Sequence, residues 1–536
     1  MGRDEAPVII GGGGLVGLST AMFLAQRGVP SIALERLKTA STLPRAAFFH
    51  MRTFELFRAA GIEEEVRRQS EAEFTPDGAI VGVESLAGRQ TAAFIPSLNE
   101  GVEALSPCRR WFVSQPGLEP ILRRRAEEVG ATVVNGLEVT GARQDADGVT
   151  VLARDVDSGA ERRFRGRYFV DCEGAHSRVR EQLGIAMQGR GVFSNSVTIY
   201  FRADLAPFLT GRNLSIIYVN NSVLGGFFRL EKSSRRGFLV VNTVGDPVAD
   251  PEAAANAAVD VSEPRLIELV RAAAGDPELK VEIEGCARWR CTSDVAERFQ
   301  DGRIFIAGDS AHLMPPNGGF GGNTGIHDAH NLAWKLALVL NGQAGAALLD
   351  TYEAERRPVG RFTVDQAYTR YVTRTAAYLK AKAPPPYQDD FRIELGYLYR
   401  SPAVLTESDS PEGHEDPRQS FGRPGSRAPH LWIRQGGRRV STLDLLGQGY
   451  TVIAGPEGRG WLDAAEHARA GMAGLALTAH VLGPDVAQAY GLEPSGASLV
   501  RPDGFVAWRA RSAPADRAQA LTGALNAVLM RSPVAA

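Results

Sequence analysis

A glycine-rich turn near the beginning of the sequence, in the segment IIGGGGLVGL, constrains the fold more than any other feature. An apolar run at residues 8–10 precedes the turn, a helical pattern at 18–27 follows it, and residues 31–34 form a second apolar run. Strand, turn, helix and strand in this order predict a βαβ unit with parallel strands. A unit of this kind is typical of dinucleotide-binding domains.

One register of the G-x-G-x-x-G pattern fits the turn, and it consists of Gly12, Gly14 and Gly17. The first glycine permits a tight turn, the second lets the backbone approach a pyrophosphate, and the third allows the helix to pack closely on the strand. Glu35 ends the second strand, where a carboxylate can accept both hydroxyls of an unphosphorylated ribose. The pattern does not by itself separate FAD from NAD. The cofactor contacts expected in this unit are Gly12, Gly14, Leu15, Val16, Gly17, Glu35 and Arg36.

Composition narrows the class of partner. The chain has 536 residues, and its 44% hydrophobic share is enough for more than one packed core. A formal net charge of -2 provides no field that would hold nucleic acid or an anionic membrane. The sequence shows no signal peptide and no apolar stretch of about 18 residues. We therefore expect a soluble, cytoplasmic protein, monomer or homodimer, whose partner is a small molecule.

The cysteines and histidines indicate no metal site. Cys108, Cys172, Cys286 and Cys291 lie too far apart for a CxxC pair, and no HExxH pattern occurs. We expect neither a metal ligand nor a redox dithiol in this chain.

A second glycine-rich loop lies in GRIFIAGDSAHLMPPNGGFGGNTGIHDAHNLAWKL, between a predicted buried strand and a helix predicted from about Thr324. The order of strand, Gly308-Asp309, loop and helix resembles the group A flavoprotein hydroxylases, the para-hydroxybenzoate hydroxylase-like family. The resemblance implies that the dinucleotide is FAD and that Asp309 binds its ribityl chain. Backbone N–H groups from Gly319 to Asn323 could also stabilise the anionic reduced flavin. The expected contacts in this loop are Asp309, Pro316, Gly319, Gly321, Gly322 and Asn323.

Three further segments resemble cofactor-binding motifs of the same family. YFVDCEGAHSRVR is similar to its DG motif, with Glu173 in place of the usual aspartate before Gly174. The resemblance implies that Arg45, in Pro44-Arg45-Ala46, approaches flavin and nicotinamide. It also implies that Gln115 contacts the flavin and that the strand at Val139 meets the adenine.

The predicted elements form an α/β protein of three domains. Alternating segments from about residue 190 to 245 predict antiparallel strands with one covered face. A helix is predicted over 350–383 with an interruption near Pro358, and Pro502-Asp503-Gly504 predicts a hairpin in the tail. The expected domains are a Rossmann-like FAD-binding domain at 1–75, 105–185 and 285–400, an antiparallel-sheet substrate domain at 76–104 and 186–284, and a thioredoxin-like domain at 401–536. The last of these follows from the resemblance, and it contains no cysteine for disulfide exchange.

Within the family, the tail segments GRPGSRAPH, STLDLLG and GASLVRPDGFVAWR resemble hydroxylases of aromatic polyketides, of the aklavinone 11-hydroxylase type. The resemblance implies a monooxygenase in which NADPH or NADH reduces FAD, oxygen forms a hydroperoxide at flavin C4a, and a phenolic ring is hydroxylated. Arg374 is the candidate for stabilising a substrate phenolate, and Tyr218 is a candidate for the same pocket. A surface arginine and a core tyrosine are the alternative interpretations of these two residues.

Two other functions share the same cofactor motifs. A Baeyer–Villiger oxygenase of this subgroup differs only in how the substrate is placed. A flavoprotein that binds and shields an unstable intermediate, with little catalysis, would also carry an FAD site.

Overall fold

A parallel sheet carries the glycine-rich turn at the carboxyl end of its central strand. The computed structural model describes residues 4–39, 48–377, 379, 383–407 and 412–531. The central strand lies between two parallel neighbours, and an antiparallel pair completes one edge. In spatial order the strands are Gln300–Asp301, Ile304–Ile306, Tyr168–Asp171, Val8–Gly11, Ser31–Glu35 and Thr132–Asn135. Their apolar runs are buried on both faces, as parallel sheets require.

A mixed, mainly antiparallel sheet of eight strands forms the substrate domain. In spatial order its strands are His312–Leu313, Glu282–Ala296, Met187–Arg202, Arg236–Val244, Leu224–Leu230, Leu214–Asn220, Ala79–Val83 and Gln90–Ile95. One face packs on the helix Glu263–Ala274, and the other face carries aromatic side chains. The expected boundary at residue 285 falls inside a strand, because Glu282–Ala296 pairs with Met187–Arg202 along its length.

Three smaller sheets lie beside these two. An antiparallel sheet contains Glu161–Gly166, Val149–Asp155 and Leu137–Gln144, and two ribbons pair Phe48–Phe49 with Trp111–Phe112 and Trp432–Gln435 with Arg438–Ser441. The α-helices not yet given are Leu15–Ala25, Met51–Ala60, Glu63–Glu73, Gln115–Glu128, Arg178–Gln182, Ala206–Leu209, Pro251–Ala254, Phe320–Leu340, Thr351–Arg374, Asp390–Leu395, Gly460–Gly471, Pro484–Ala489 and Arg517–Val528. Over the described ranges, no helix combines the length and apolar character needed to cross a membrane.

Two helix predictions differ from the structure. The helix of the second glycine loop begins at Phe320 and not near Thr324. Gly321 and Gly322 have low helix propensity, but they lie in the first turn of the helix, where tertiary packing overrides propensity. The helix Thr351–Arg374 runs through Pro358 without interruption. Its neighbours Glu355, Arg356 and Val359 are buried, so packing on both sides of the proline outweighs the lost backbone hydrogen bond.

The tail domain has a four-stranded sheet in the order Leu477–Val481, Tyr450–Ala454, Ala497–Val500 and Val506–Ala510. The first pair is parallel and the other two are antiparallel, which agrees with the expected thioredoxin-like fold. The hairpin predicted at Pro502-Asp503-Gly504 joins the last two strands. Its Asp503 accepts hydrogen bonds from Arg501 and from Nε1 of Trp334, so a buried polar contact joins the tail to the loop helix Phe320–Leu340.

Candidate functional site

The three fingerprint glycines have the three environments that the pattern predicts. Gly12 has a φ of +94°, and a Cβ there would lie 2.4 Å from the carbonyl oxygen of Cys172. A Cβ on Gly17 would lie only 1.9 Å from the carbonyl oxygen of Gly12, so helix and turn touch through backbone. At Gly14 the nearest atom would be 3.6 Å away, which leaves open space beside the helix start. The turn can therefore admit a ligand at Gly14.

The helix Leu15–Ala25 points its first backbone N–H groups into this space. Gly14 is the N-cap, and the first intrahelical bond is donated by Leu18 to Gly14. The N–H groups of Leu15, Val16 and Gly17 therefore have no acceptor within the helix, and such groups favour an anion.

Glu35 stands at the end of the neighbouring strand, where the sequence predicted a ribose contact. Its carboxylate accepts hydrogen bonds from the backbone N–H of Gly13 at 2.6 Å and of Leu37 at 2.7 Å. Both bonds hold the carboxylate beside the turn. Arg36 is exposed next to it.

Gln115 and Val139 lie in two other elements of the fold, a helix and a strand. Gln115 begins the helix Gln115–Glu128 and donates to Glu119 at 2.6 Å, and that carboxylate is the nearest group to the open space at Gly14. Val139 is buried in the strand Leu137–Gln144. Arg45 lies outside the described residues.

The Gly308-Asp309 pair forms a tight turn directly after the strand Ile304–Ile306. Gly308 has a φ of +63°, and Asp309 projects to the exposed side of the turn. The buried Asp328 accepts a hydrogen bond from the backbone N–H of Gly308 at 3.1 Å. His312 at 2.7 Å and Arg356 at 2.8 Å hold the same carboxylate.

Asp328 is charged despite complete burial. Burial acts to raise its pKa, but the opposing charges of Arg356 and His312 hold the pKa below its usual range. Neither Asp328 nor Arg356 belongs to a recognisable sequence motif, so sequence alone does not single them out. Together they fix the turn that presents Asp309.

The second glycine loop ends in the N-cap of the helix Phe320–Leu340. Gly318 and Gly319 have φ values of +95° and +70°, and the N–H of Gly319 donates to Pro316 at 3.0 Å. The donors without an intrahelical acceptor are thus those of Phe320, Gly321 and Gly322. This set is narrower than the expected stretch from Gly319 to Asn323.

The side chain of Asn323 pins this loop to a neighbouring segment. Its Oδ1 accepts from the backbone N–H of His50 at 2.9 Å and from the Thr53 hydroxyl at 2.6 Å. Its Nδ2 donates to the carbonyl oxygens of Phe48 at 2.9 Å and Gly319 at 2.7 Å. The amide group of Asn323 is therefore hydrogen-bonded within the protein. The sequence did not predict these partners.

The segment that resembles the DG motif contains two neighbouring carboxyl groups. Asp171 is buried and accepts hydrogen bonds from Ser177 and Ser310. Glu173 lies next to the fingerprint turn, and its Oε2 is buried without a hydrogen-bond partner. Burial, followed by the charge of Asp171, raises the pKa of Glu173 to about 8. Gly174, with a φ of +89°, donates its N–H to Ser310 at 3.0 Å.

Arg374 and Tyr218 meet in the substrate domain. Arg374 is the last residue of its helix and is only 3% exposed, so the surface-arginine interpretation is wrong. Its guanidinium lies 5.7 Å from the Tyr218 ring centre and 4.9 Å from that of Phe94. It donates a hydrogen bond of 2.9 Å to the hydroxyl of Tyr387, whose ring is 48% exposed.

An aromatic wall connects this pair to the second glycine loop. Phe48 stacks on Phe112 at 4.7 Å and lies edge-on to His50 at 4.9 Å, and His50 contacts Phe320 at 5.4 Å. The wall consists of Phe48, Phe74, Phe94, Phe112, Tyr218, Phe227, Phe238 and Trp289, with Ile80, Leu98 and Val240. Aromatic side chains of this kind can stack against a flat aromatic molecule.

Comparisons with known proteins agree with this geometry. A family described as FAD binding domain matches residues 5–367, and one described as aromatic-ring hydroxylase, C-terminal, matches residues 422–532. A 4-methyl-5-nitrocatechol 5-monooxygenase of Burkholderia sp is 52% identical over 98% of both chains. An aklavinone 12-hydroxylase of Streptomyces purpurascens is 38% identical over 99% of this chain and 100% of its own. The crystal structure of aklavinone-11 hydroxylase with FAD and aklavinone superposes with a TM-score of 0.91, at 38% identity over 99% of this chain and 100% of that one.

Proposed function

This chain belongs to the FAD-dependent aromatic-ring hydroxylases and is a monooxygenase, and on that premise we propose that it hydroxylates a phenolic substrate with NADPH or NADH and molecular oxygen. The observation that supports this proposal is the meeting of Arg374 and Tyr218 at the aromatic wall beside the second glycine loop.

The residues present fit FAD. Open space at Gly14 and the free N–H groups of the first helix can receive the pyrophosphate, Glu35 can accept the ribose hydroxyls, and Asp309 can accept hydroxyls of the ribityl chain. When bound, FAD supplies the redox chemistry and the activation of oxygen, so this chain needs no nucleophile of its own. The N–H groups of Phe320 to Gly322 would hold the flavin ring in place at a helix start.

Arg374 would stabilise the anionic form of the substrate phenol. Burial lowers its own pKa, but Tyr218, Tyr387 and Asp390 outweigh that effect and raise the pKa, so the guanidinium stays charged. A fixed positive charge at a buried site, where water is excluded, lowers the pKa of a neighbouring phenol. The resulting phenolate ring is the better nucleophile toward electrophilic oxygen. Tyr218 would help orient the phenol oxygen through its hydroxyl.

Two substrate classes fit this chemistry. The aromatic wall and the likeness to aklavinone hydroxylases support a multi-ring phenolic polyketide as the substrate. The higher identity to a 4-methyl-5-nitrocatechol monooxygenase supports a single-ring catechol as the second candidate. Both classes present a phenolic oxygen to Arg374. A Baeyer–Villiger outcome would differ in product and not in these contacts.

The experiment compares Arg374→Ala with Arg357→Ala, an exposed arginine of the same helix. Substrate-dependent NAD(P)H oxidation and incorporation of labelled oxygen are measured with catechols and aromatic polyketides. We expect Arg374→Ala to lower product formation about 100-fold, because a buried electrostatic contact to the developing anion is lost. FAD content should remain equal in both variants. Full coupling of NAD(P)H oxidation to product in Arg374→Ala would contradict the proposed role.

A further inference from the structure

Arg229 is a buried arginine with two hydrogen-bond donors that no described residue accepts. It lies in the strand Leu224–Leu230, is 4% exposed, and donates one hydrogen bond of 2.7 Å from Nη1 to the carbonyl oxygen of Ser215. No carboxylate of the described residues forms an ion pair with it. Glu73 is the nearest negative charge, but its oxygens accept hydrogen bonds from Ser114 and Gln69.

Two phenyl rings pack against the Arg229 guanidinium. Its central carbon lies 3.8 Å from the ring centre of Phe74 and 3.9 Å from that of Phe112, and the two rings are inclined to each other by 67°. The Nε and Nη2 atoms, which lie on one edge of the guanidinium, are buried and have no hydrogen-bond partner among the described residues.

This arrangement costs free energy in the absence of a ligand. Burial lowers the pKa of Arg229 to about 9, with partial compensation by Glu73, so the group remains charged at neutral pH. The stacked rings stabilise a cation only partly, and buried donors without acceptors are unfavourable. The position of the residue in the fold indicates where an acceptor could come from.

Arg229 lies on the same face of the sheet as the aromatic wall. Side chains alternate along a strand, so it shares that face with Phe227, whose ring is 5.6 Å from Tyr218. On its other side, Phe112 stacks on Phe48, which contacts the second glycine loop at Gly319. Arg229 is thus placed between the substrate-facing tyrosine and the loop that would hold the flavin.

We propose that the free edge of Arg229 binds a planar pair of oxygens on the substrate ring, a nitro or a carboxylate group, while Arg374 binds the phenolic oxygen. The two N–H groups on one edge of a guanidinium form a fork that matches such a pair. This inference rests on the proposed function and defines the substrate as a phenol with a two-oxygen substituent.

The test measures binding of three probes to the FAD-loaded enzyme by the change in flavin fluorescence. The probes are catechol, 4-nitrocatechol and 3,4-dihydroxybenzoate, and the last two distinguish nitro from carboxylate. The unmodified enzyme should bind at least one substituted catechol about 10- to 100-fold more tightly than catechol, as expected for charge-assisted hydrogen bonds.

Three variants separate recognition from folding. Arg229→Met should lose the preference and bind catechol within threefold of the unmodified enzyme. Its unfolding midpoint should be unchanged or raised, because an unpaired buried charge is removed. Arg229→Lys keeps the charge without the planar fork and should lose most of the preference. Arg236→Met, an exposed position on the neighbouring strand, should change neither.

Three results would overturn the assignment. Two of them remove only the role of Arg229 and leave the proposed function standing. One is productive hydroxylation of catechol without any preference for the substituted probes, and the other is an unchanged preference in both Arg229 variants. Absence of NAD(P)H oxidation with every aromatic compound removes the proposed function, and this inference with it.

Discussion

Substitution of single glycines in the fingerprint turn should separate folding from cofactor binding. In Gly17→Ala the new Cβ would lie 1.9 Å from the carbonyl oxygen of Gly12, about 1.5 Å too close for van der Waals contact. The Cβ is fixed to the backbone of the helix and the carbonyl oxygen belongs to the backbone of the turn, so the helix itself must move. Overpacking of this kind costs about 3 kcal/mol. We expect the protein without FAD to unfold several degrees lower.

Gly14→Ala is the matched control with the opposite pattern. Gly14 has a φ of -82°, which alanine adopts without strain, and its nearest neighbour atom would be 3.6 Å from the Cβ. Loss of a glycine N-cap and the smaller entropy of the unfolded chain nearly cancel, so stability should change by less than about 0.5 kcal/mol. The methyl group occupies the space that the pyrophosphate needs. FAD affinity should fall at least about 100-fold, because at least two charge-assisted hydrogen bonds are lost.

The assay combines urea and thermal unfolding of both variants without FAD with a fluorescence titration of FAD. The expected pattern is an unstable Gly17→Ala protein and a stable Gly14→Ala protein that binds FAD poorly. A Gly17→Ala protein as stable as the unmodified chain would refute the close-packing argument. A Gly14→Ala protein with full FAD affinity would refute the placement of the pyrophosphate.

Two further predictions concern buried carboxyl groups near the FAD site. Asp328→Asn leaves Arg356 without its carboxylate, so the free energy of unfolding, measured in urea, should fall by about 3–5 kcal/mol. FAD binding at the Gly308 turn should also weaken, because Asp328 holds that turn. Equal stability of the variant and the unmodified protein would contradict this prediction. The pKa of Glu173 is raised from 4.5 to about 8 in the fold, so its contribution to stability is full below pH 4.5 and is lost as the pH rises through 8. The free energy of unfolding lost in this way amounts to at most about 5 kcal/mol. In Glu173→Gln this part of the pH dependence should be absent. If the urea midpoints of the two proteins changed with pH in the same way, the prediction would be contradicted.

The cofactor side of this protein could be predicted from sequence because its determinants are local. Gly12, Gly14 and Gly17 act through backbone conformation and the absence of a Cβ, and both properties belong to the glycines themselves. The same holds for the turn at Gly308, whose positive φ matches a glycine between strand and loop. Motif and spacing therefore placed these residues correctly at the ends of strands and helices.

The partners that hold these turns come from distant parts of the chain. Asn323 reaches back to His50 and Thr53, and Asp328 joins Gly308 to Arg356. Such pairs have no spacing rule, since helix packing alone brings them together. The expected domain boundary near residue 285 falls inside the strand Glu282–Ala296 for a related reason, because a strand's length depends on its neighbour in the sheet.

The turn IIGGGGLVGL, with its flanking strands and helix, predicted a dinucleotide-binding unit from sequence alone, because backbone geometry around glycine is a local property. The surroundings of the candidate substrate-binding residues were decided only by the tertiary structure. Sequence identified Arg374 and Tyr218 as separate candidates, and the folded sheet and helix bring the guanidinium to 5.7 Å from the tyrosine ring centre, where both side chains are buried. The two unsatisfied donors of Arg229 likewise follow from the fold, since burial and the absence of an acceptor among the described residues are not properties of a residue type.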